Sequence, residues 1–161
     1  MVEFVAMTEA DYRAYLEQAV ADYAAEHVRG GRWSAEEAVQ LSRQEYQELL
    51  PEGLATPNNV LYVLADPATH AQVGVLWYAL QERTGKLVAF IYDIAIDPSF
   101  RRRGYATHAL RGLEDLVLAR GVSEIRLHVF GHNRKARALY EALGYQPTNI
   151  MMAKLLKEPE E

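Results

Sequence analysis

The stretch from Leu87 to Arg120 constrains the fold more than any other part of the chain. It opens Leu87-Val88-Ala89-Phe90-Ile91-Tyr92-Asp93-Ile94-Ala95-Ile96-Asp97, an apolar run with one interior charge, which is the pattern of a strand covered on both faces. Pro98 ends the run, because proline has no N–H to offer a ladder and favours a turn. Ser99-Phe100-Arg101-Arg102-Arg103-Gly104-Tyr105 follows. From there Ala106, Ala109, Leu110, Leu113, Leu116 and Val117 fall at the i, i+3, i+4 spacing of an amphipathic helix, and Gly121 stands where such a helix stops. The expected order is strand, tight basic turn with one glycine, helix.

That order has a physical use. The start of a helix presents unpaired backbone N–H groups and the positive end of the macrodipole, and a phosphate placed there satisfies both. Gly104 lets backbone come close, Ala106 leaves room, and Arg101, Arg102 and Arg103 add positive charge at the same spot. Three arginines in a solvated turn would look no different from spacing alone.

A second ordered segment lies downstream: Asn133-Arg134-Lys135-Ala136-Arg137-Ala138-Leu139-Tyr140-Glu141-Ala142-Leu143-Gly144-Tyr145. Arg101-x-x-Gly104-x-Ala106 between a strand and a helix resembles the (Gln/Arg)-x-x-Gly-x-(Gly/Ala) pyrophosphate-binding signature of the GNAT superfamily, the acyl-CoA-dependent N-acyltransferases. The downstream segment resembles that family's Asn-x-x-Ala-x-x-Leu-Tyr-x-x-x-Gly-(Phe/Tyr) run. Together they cover about the C-terminal half of the chain.

The resemblance implies acetyl-CoA as co-substrate, with its phosphates on the backbone N–H groups of Arg101, Arg102, Arg103, Gly104, Tyr105, Ala106 and Thr107. It implies that backbone of Ile94, Ala95 and Ile96 pairs with the pantetheine arm and donates to the carbonyl oxygen. Asn133 would hold the pantetheine or the acceptor side, and would also cap a helix. Tyr140 is the expected proton donor to the departing thiolate, since a phenol of pKa about 10 keeps its proton at neutral pH. It also reads as a core tyrosine on a helix stripe.

The general base is less defined. Asp93 stands alone in an apolar strand, so burial should raise its pKa toward the range of a base. His128, on the strand expected beside the central one, titrates near neutrality, and either group could instead orient a water. The position that commonly holds the base in the family corresponds here to Phe90, which cannot act.

Read in order, Val2 to Ala6 is a short edge strand and Thr8 caps a helix striped by Tyr12, Tyr15, Leu16, Ala19, Val20 and Tyr23, which runs out near Gly30-Gly31. Ser34-Ala35-Glu36-Glu37 reads as a capping box for a second helix with Ala38, Leu41, Glu45 or Tyr46, and Leu49 along one side. Strands follow at 60–65 and 72–82, joined to each other and to the central strand by short turns, which implies an antiparallel meander. Ser123 to Phe130 is a strand after a helix, hence parallel to the central one, and Asn133 opens a helix burying Ala136, Leu139, Tyr140 and Leu143. Asn149 to Leu156 reads as a last strand and 157–161 as a frayed tail. The expectation is a single domain over 1–161, an α/β fold with a mixed (α+β) sheet in the order β-α-α-β-β-β-α-β-α-β. The family fold further implies that the two parallel strands splay apart after a bulge.

Charge divides the chain. Residues 1–80 carry 4 Lys+Arg against 12 Asp+Glu and residues 81–161 carry 13 against 10, within a net charge of −5. The basic half holds the phosphate turn, and an acidic acceptor side would favour a cationic amine, although acidic helices facing solvent would give the same count. The acidic total opposes a nucleic-acid reading of the arginines.

With 0 Cys there is no thiol nucleophile and no disulfide, which fits a reducing cytoplasm and direct transfer in a ternary complex. No apolar run reaches membrane-spanning length, and no His-Glu-x-x-His, P-loop, dinucleotide fingerprint or nucleophile elbow occurs, so no metal is expected. The expected function is N-acetyl transfer to a primary amine, its pocket built from the first two helices and the loop with Trp33. The alternatives are an acyl-CoA-binding sensor or interaction module on the same fold, or a longer-acyl or hydrolytic relative. Pairing into a homodimer is left open.

Overall fold

A computed structural model, which describes residues 1–158, places the elements in the order β1 (Glu3–Ala6), α1 (Glu9–Arg29), α2 (Ala38–Leu49), β2 (Asn59–Ala65), β3 (Gln72–Arg83), β4 (Lys86–Ile96), α3 (Tyr105–Leu118), β5 (Glu124–Leu127) and α4 (Arg134–Ala142). The five strands form one sheet in sequence order; β1 to β4 are antiparallel and β5 lies parallel to β4. The mixed α/β sheet expected from the sequence is therefore present.

Local chemistry explains most boundaries. Thr8 and Asp11 cap α1 reciprocally, each side chain bonding the other's backbone N–H, which stabilises the first turn by about 1 kcal/mol. Thr84 and Gly85 both have positive φ, as a tight turn between twisted strands requires, and they join β3 to β4. Gly121 leaves α3 in the left-handed region, and Asn133 accepts from the Ala136 N–H to start α4.

Two apolar layers hold the sheet. On one face Leu76, Tyr78, Ala89 and Ile91 pack with Leu110, Leu113 and Val117 of α3. On the other, Leu61, Val63 and Trp77 pack with Tyr12, Tyr15, Ala19 and Val20 of α1 and Tyr46 of α2.

Two features of β4 open the sheet at one end. Its register with β3 slips between Trp77↔Asp93 and Tyr78↔Ile91, leaving Tyr92 as an extra residue in a bulge. Its pairing with β5 covers only Val88–Ile91, so beyond the bulge the two parallel strands part, as the family fold implies.

Four expectations change. The strand expected over Ser123–Phe130 ends at Leu127, because only four of its residues find partners on β4. The box expected at Ser34-Ala35-Glu36-Glu37 does not form: these residues make turns, and α2 begins at Ala38 with no side-chain cap. The buried face of α2 is Ala38, Ser42 and Tyr46, with Leu49 exposed, because the Ser42 hydroxyl donates to the Val20 carbonyl at 2.8 Å and is thus a satisfied interior group. No strand forms over Asn149–Leu156, whose backbone pairs with no strand among the described residues. Part of the tail expected at 157–161 lies outside the described residues.

Candidate active site

The parting of β4 and β5 opens a cleft of about 180 Å3. Ile91, Tyr92, Asp93 and Ile94 of β4 line one side, and Leu127, His128, Val129 and Phe130 the other. Glu26 of α1 and Asn133, Ala136 and Tyr140 at and within α4 complete it.

Asp93 is half-buried in this cleft, and its carboxylate accepts from the Tyr15 hydroxyl of α1 at 2.8 Å. Burial pushes the Asp93 carboxyl above its ordinary range, and Asp22 adds to this. The Tyr15 bond and the Ile94 N–H pull the other way without cancelling the rise. Burial and the Asp93 charge drive the Tyr15 phenol far up, so Tyr15 remains a donor to the carboxylate across the working pH range.

Tyr140 faces the same cleft from α4. Burial, aided by the Asp93 carboxylate, pushes its phenol up to about 12, so it carries a proton at neutral pH. One cleft thus holds a carboxyl displaced toward basicity and a phenol that keeps its hydrogen.

The turn after β4 is built from the outside. Pro98–Phe100 makes one 3-10 turn, and Arg102 (φ 64°) and Gly104 (φ 82°) both take the left-handed conformation before α3 begins at Tyr105. Gly104 caps the helix without a side chain, so no side chain bonds the first N–H groups of α3, and no acidic residue stands in its first turn. Arg101 donates from Nε to the Ile96 carbonyl at 3.0 Å, tying the turn to the end of β4. The Tyr105 hydroxyl donates to Asp66 at 2.6 Å, pinning the first helical residue to the β2–β3 turn, and this bond holds the Asp66 carboxyl below its usual range. Arg103 lies over the Phe100 ring at 5.6 Å. These contacts leave the amides of Tyr105, Ala106 and Thr107 directed at an exposed bend. The cradle fits a diphosphate: free donors, the positive end of a helix, and a glycine where a side chain would strain the backbone.

The wall opposite is acidic and aromatic. Glu26 pairs with His132 and, at 3.0 Å, with Arg29. Phe130 stacks on His132 with ring centres 5.2 Å apart and meets the edge of buried His27 at 5.0 Å. Trp33, expected to line the acceptor pocket, packs against His27 and Tyr23 behind this wall instead.

The structure therefore brings Asp93, Ile94, Asn133, Tyr140 and His128 to one cleft, with exposed Ala95 and half-buried Ile96 at its lip and Arg101–Thr107 on the adjoining turn. Phe90 lies on the paired part of β4, short of the cleft. Sequence reasoning missed Tyr15, Glu26 and Phe130. Tyr15 sits on the apolar stripe of its helix and Glu26 on the polar side, so only spatial placement distinguishes them. A larger groove of about 350 Å3 runs between α1 and α2, past Glu17, Arg43 and Tyr46, but it has neither a free strand edge nor a helix N-terminus.

Residues 23–145 match the Acetyltransferase (GNAT) family. The chain belongs to the GNAT family. It is 39% identical to YycN of Bacillus subtilis (strain 168), called an uncharacterized N-acetyltransferase, over 150 residues that make up 93% of this chain and 96% of that protein. It is 32% identical to YdgE of the same organism, also called an uncharacterized N-acetyltransferase, over 93% of this chain and 95% of the relative. The crystal structure of YycN superposes with a TM-score of 0.92 at 37% identity, covering 98% of this chain and 100% of YycN. The GNAT match runs from Tyr23, within α1, to the end of the second motif at Tyr145, so both signatures lie within it. This GNAT chain is an acetyltransferase, and acetyl-CoA is the co-substrate typical of its family.

Proposed function

We propose that the chain moves the acetyl group of acetyl-CoA to a primary amine of a small molecule or peptide by direct attack in a ternary complex. The observation that carries this reading is the meeting in one cleft of Asp93, whose carboxyl burial pushes above its ordinary range, and Tyr140, whose phenol keeps its proton at neutral pH, beside an unpaired strand edge. When bound, acetyl-CoA supplies an activated thioester carbonyl. Arg101, Arg102, Arg103, Gly104, Tyr105, Ala106 and Thr107 hold its phosphates through backbone N–H groups and charge, and the edge formed by Ile94, Ala95 and Ile96 orients the pantetheine arm. Asn133 borders the arm while capping α4. A backbone N–H of this edge donates to the carbonyl oxygen as it gains charge.

Asp93 accepts the proton that the amine gives up as the N–C bond forms, and Tyr140 donates its phenolic proton to the sulfur as the C–S bond breaks. Glu26 at the cleft and Asp22 near Asp93 favour an acceptor with positive charge. A chain with 0 Cys is in keeping with a cytoplasmic setting.

The test is steady release of CoA thiol from acetyl-CoA with a panel of cationic, neutral and anionic amines. Cationic amines should give the highest kcat/KM. Preference for anionic acceptors would overturn the charge assignment, and no turnover with any amine would leave a binding module instead. Tyr140→Phe should lower kcat about 10²-fold with CoA affinity unchanged, since only the proton donor is lost. Unchanged kcat would remove Tyr140 from the chemistry.

Gly104→Val places a β-branched residue at φ 82°, where the added carbon meets nothing nearer than His108 at 3.7 Å. The cost is backbone strain of about 1–2 kcal/mol, so CoA affinity by calorimetry should fall about tenfold as the turn relaxes. Gly121→Val has the same φ of 82° and open space around it, and it should cost similar stability while leaving CoA affinity alone. Equal affinity loss in both would refute the cradle.

A further inference from the structure

Beyond the bulge at Tyr92, β4 carries its one carboxylate to the α1 side of the sheet, and a single side chain bonds it there. The Tyr15 hydroxyl donates to Oδ2 of Asp93 at 2.8 Å across 78 positions of sequence, and no other side chain donates to this carboxylate among the described residues. Tyr15 is 8% exposed, and its ring belongs to the layer of Leu61, Val63, Trp77 and Tyr46. The helix that bears it is fixed one turn upstream by the reciprocal cap of Thr8 and Asp11. A ring buried on a capped helix does not move to follow its acceptor; the acceptor is held to it.

Asp93 needs such an anchor. It is half-buried, lines the cleft and lies past the stretch of β4 that pairs with β5, so more than one staggered rotamer is open to an untethered side chain. The bond to Oδ2 selects one of them and leaves Oδ1 as the oxygen to which no side chain donates. We propose that Tyr15 is a positioning residue for acetyl transfer: it anchors Asp93 through Oδ2 and so reserves Oδ1 for the proton of the attacking amine. The inference rests on the reading of Asp93 as general base. Tyr15 itself gains and loses no proton in the step; it restricts the carboxylate to the productive orientation.

The same bond acts on charge. A donor to a carboxylate favours its ionised form, so Tyr15 opposes the rise that burial imposes on Asp93. Around this carboxyl stand Tyr15 and Asp22 of α1, Tyr46 of α2 and Tyr140 of α4, and Glu26 and His128 line the same cleft. Burial keeps the Tyr46 and Tyr140 phenols protonated, and Asp22 works with burial to raise Asp93. Without Tyr15 only the Ile94 N–H opposes that rise, so the carboxyl must hold its proton to a higher pH. Orientation and basicity are thus both set from α1, outside the cleft.

Tyr15→Phe keeps the ring in its layer and removes the donor. Carboxyl-carbon NMR on the free protein, with Asp93→Asn to assign the resonance, should show Asp93 titrating about 1 pH unit higher in Tyr15→Phe. The acidic limb of kcat/KM should move up by the same amount, and kcat on the plateau should fall about tenfold with KM for acetyl-CoA unchanged. Tyr12→Phe takes a hydroxyl from the same stripe of α1, where it lines the groove between α1 and α2, and should change neither reading. An Asp93 titration that stays put in Tyr15→Phe, or moves equally in Tyr12→Phe, would overturn the anchor. An acidic limb that vanishes in Asp93→Asn yet stays fixed in Tyr15→Phe would overturn the part of Tyr15 in the reaction alone. A limb that persists in Asp93→Asn would overturn the base and its positioning residue together.

Discussion

Asp93→Asn should lower kcat by about 10³-fold and raise the melting temperature, two changes of opposite sign from one substitution. The loss comes from the role proposed for Asp93 as general base: asparagine cannot take a proton. The gain comes from linkage. The folded-state pKa of Asp93 is raised by burial, so between its unfolded and folded values the native state binds more protons than the unfolded chain. Stability from this group is therefore greatest at low pH and declines as pH rises through that interval. Above that interval the chain carries the full cost of a half-buried carboxylate. Asparagine removes the charge and still accepts from the Tyr15 hydroxyl, so the packing around α1 is kept. Each kcal/mol recovered should appear as about 2–4 °C in a chain of this size. In the unmodified enzyme kcat/KM should fall as pH drops through the raised pKa, and that acidic limb should vanish from the residual activity of the variant. A lower melting temperature with unchanged kcat would make Asp93 a structural group.

Gly74→Ala should destabilise the fold by about 3 kcal/mol and lower the melting temperature by about 6–12 °C. A carbon built on Gly74 would collide with the Ala95 carbonyl oxygen and stand 3.1 Å from the Ile96 Cα, both backbone atoms of the neighbouring strand. No rotamer change relieves such a contact, so β3 and β4 must separate where they pair at Gly74↔Ile96. Ala95 and Ile96 form the lip proposed for the pantetheine arm, and the same displacement should weaken CoA binding in whatever fraction remains folded. Thermal unfolding and calorimetry read the two effects separately. A melting temperature within about 2 °C of the unmodified chain would contradict this geometry.

The sequence exposes what local chemistry controls. The run ending at Pro98, the glycine at 104 and the stripe from Ala106 to Val117 each specify their own conformation, so strand, bend and helix emerge where their residues put them. The Tyr15 bond to Asp93 joins positions 78 residues apart, and nothing in a helix stripe tells a tyrosine that fills a core from one that holds a carboxylate. Ser42 shows the same limit on the energetic side. A hydroxyl reads as solvent-facing until the Val20 carbonyl that accepts from it is known. Residues 149–156 have the composition of a strand, but composition does not carry the address of a pairing strand, and this segment pairs with none among the described residues.

The extra residue at Tyr92 changes the phase of everything after it. Ile91 packs in the layer with α3, whereas Tyr92 packs in the layer with α1 and stacks on Trp77 with ring centres 4.5 Å apart. Plain alternation would then send the next side chain back among Leu110 and Leu113. Asp93 instead meets Tyr15 of α1, and Ile94 and Ile96 return to the α3 layer. Two consecutive side chains on one face are a frameshift in the strand. Pairing Tyr92 in plain register would restore the beat and turn the carboxylate into the hydrocarbon layer beneath α3, so a single unpaired position decides whether this strand carries a reactive group or only a buried one.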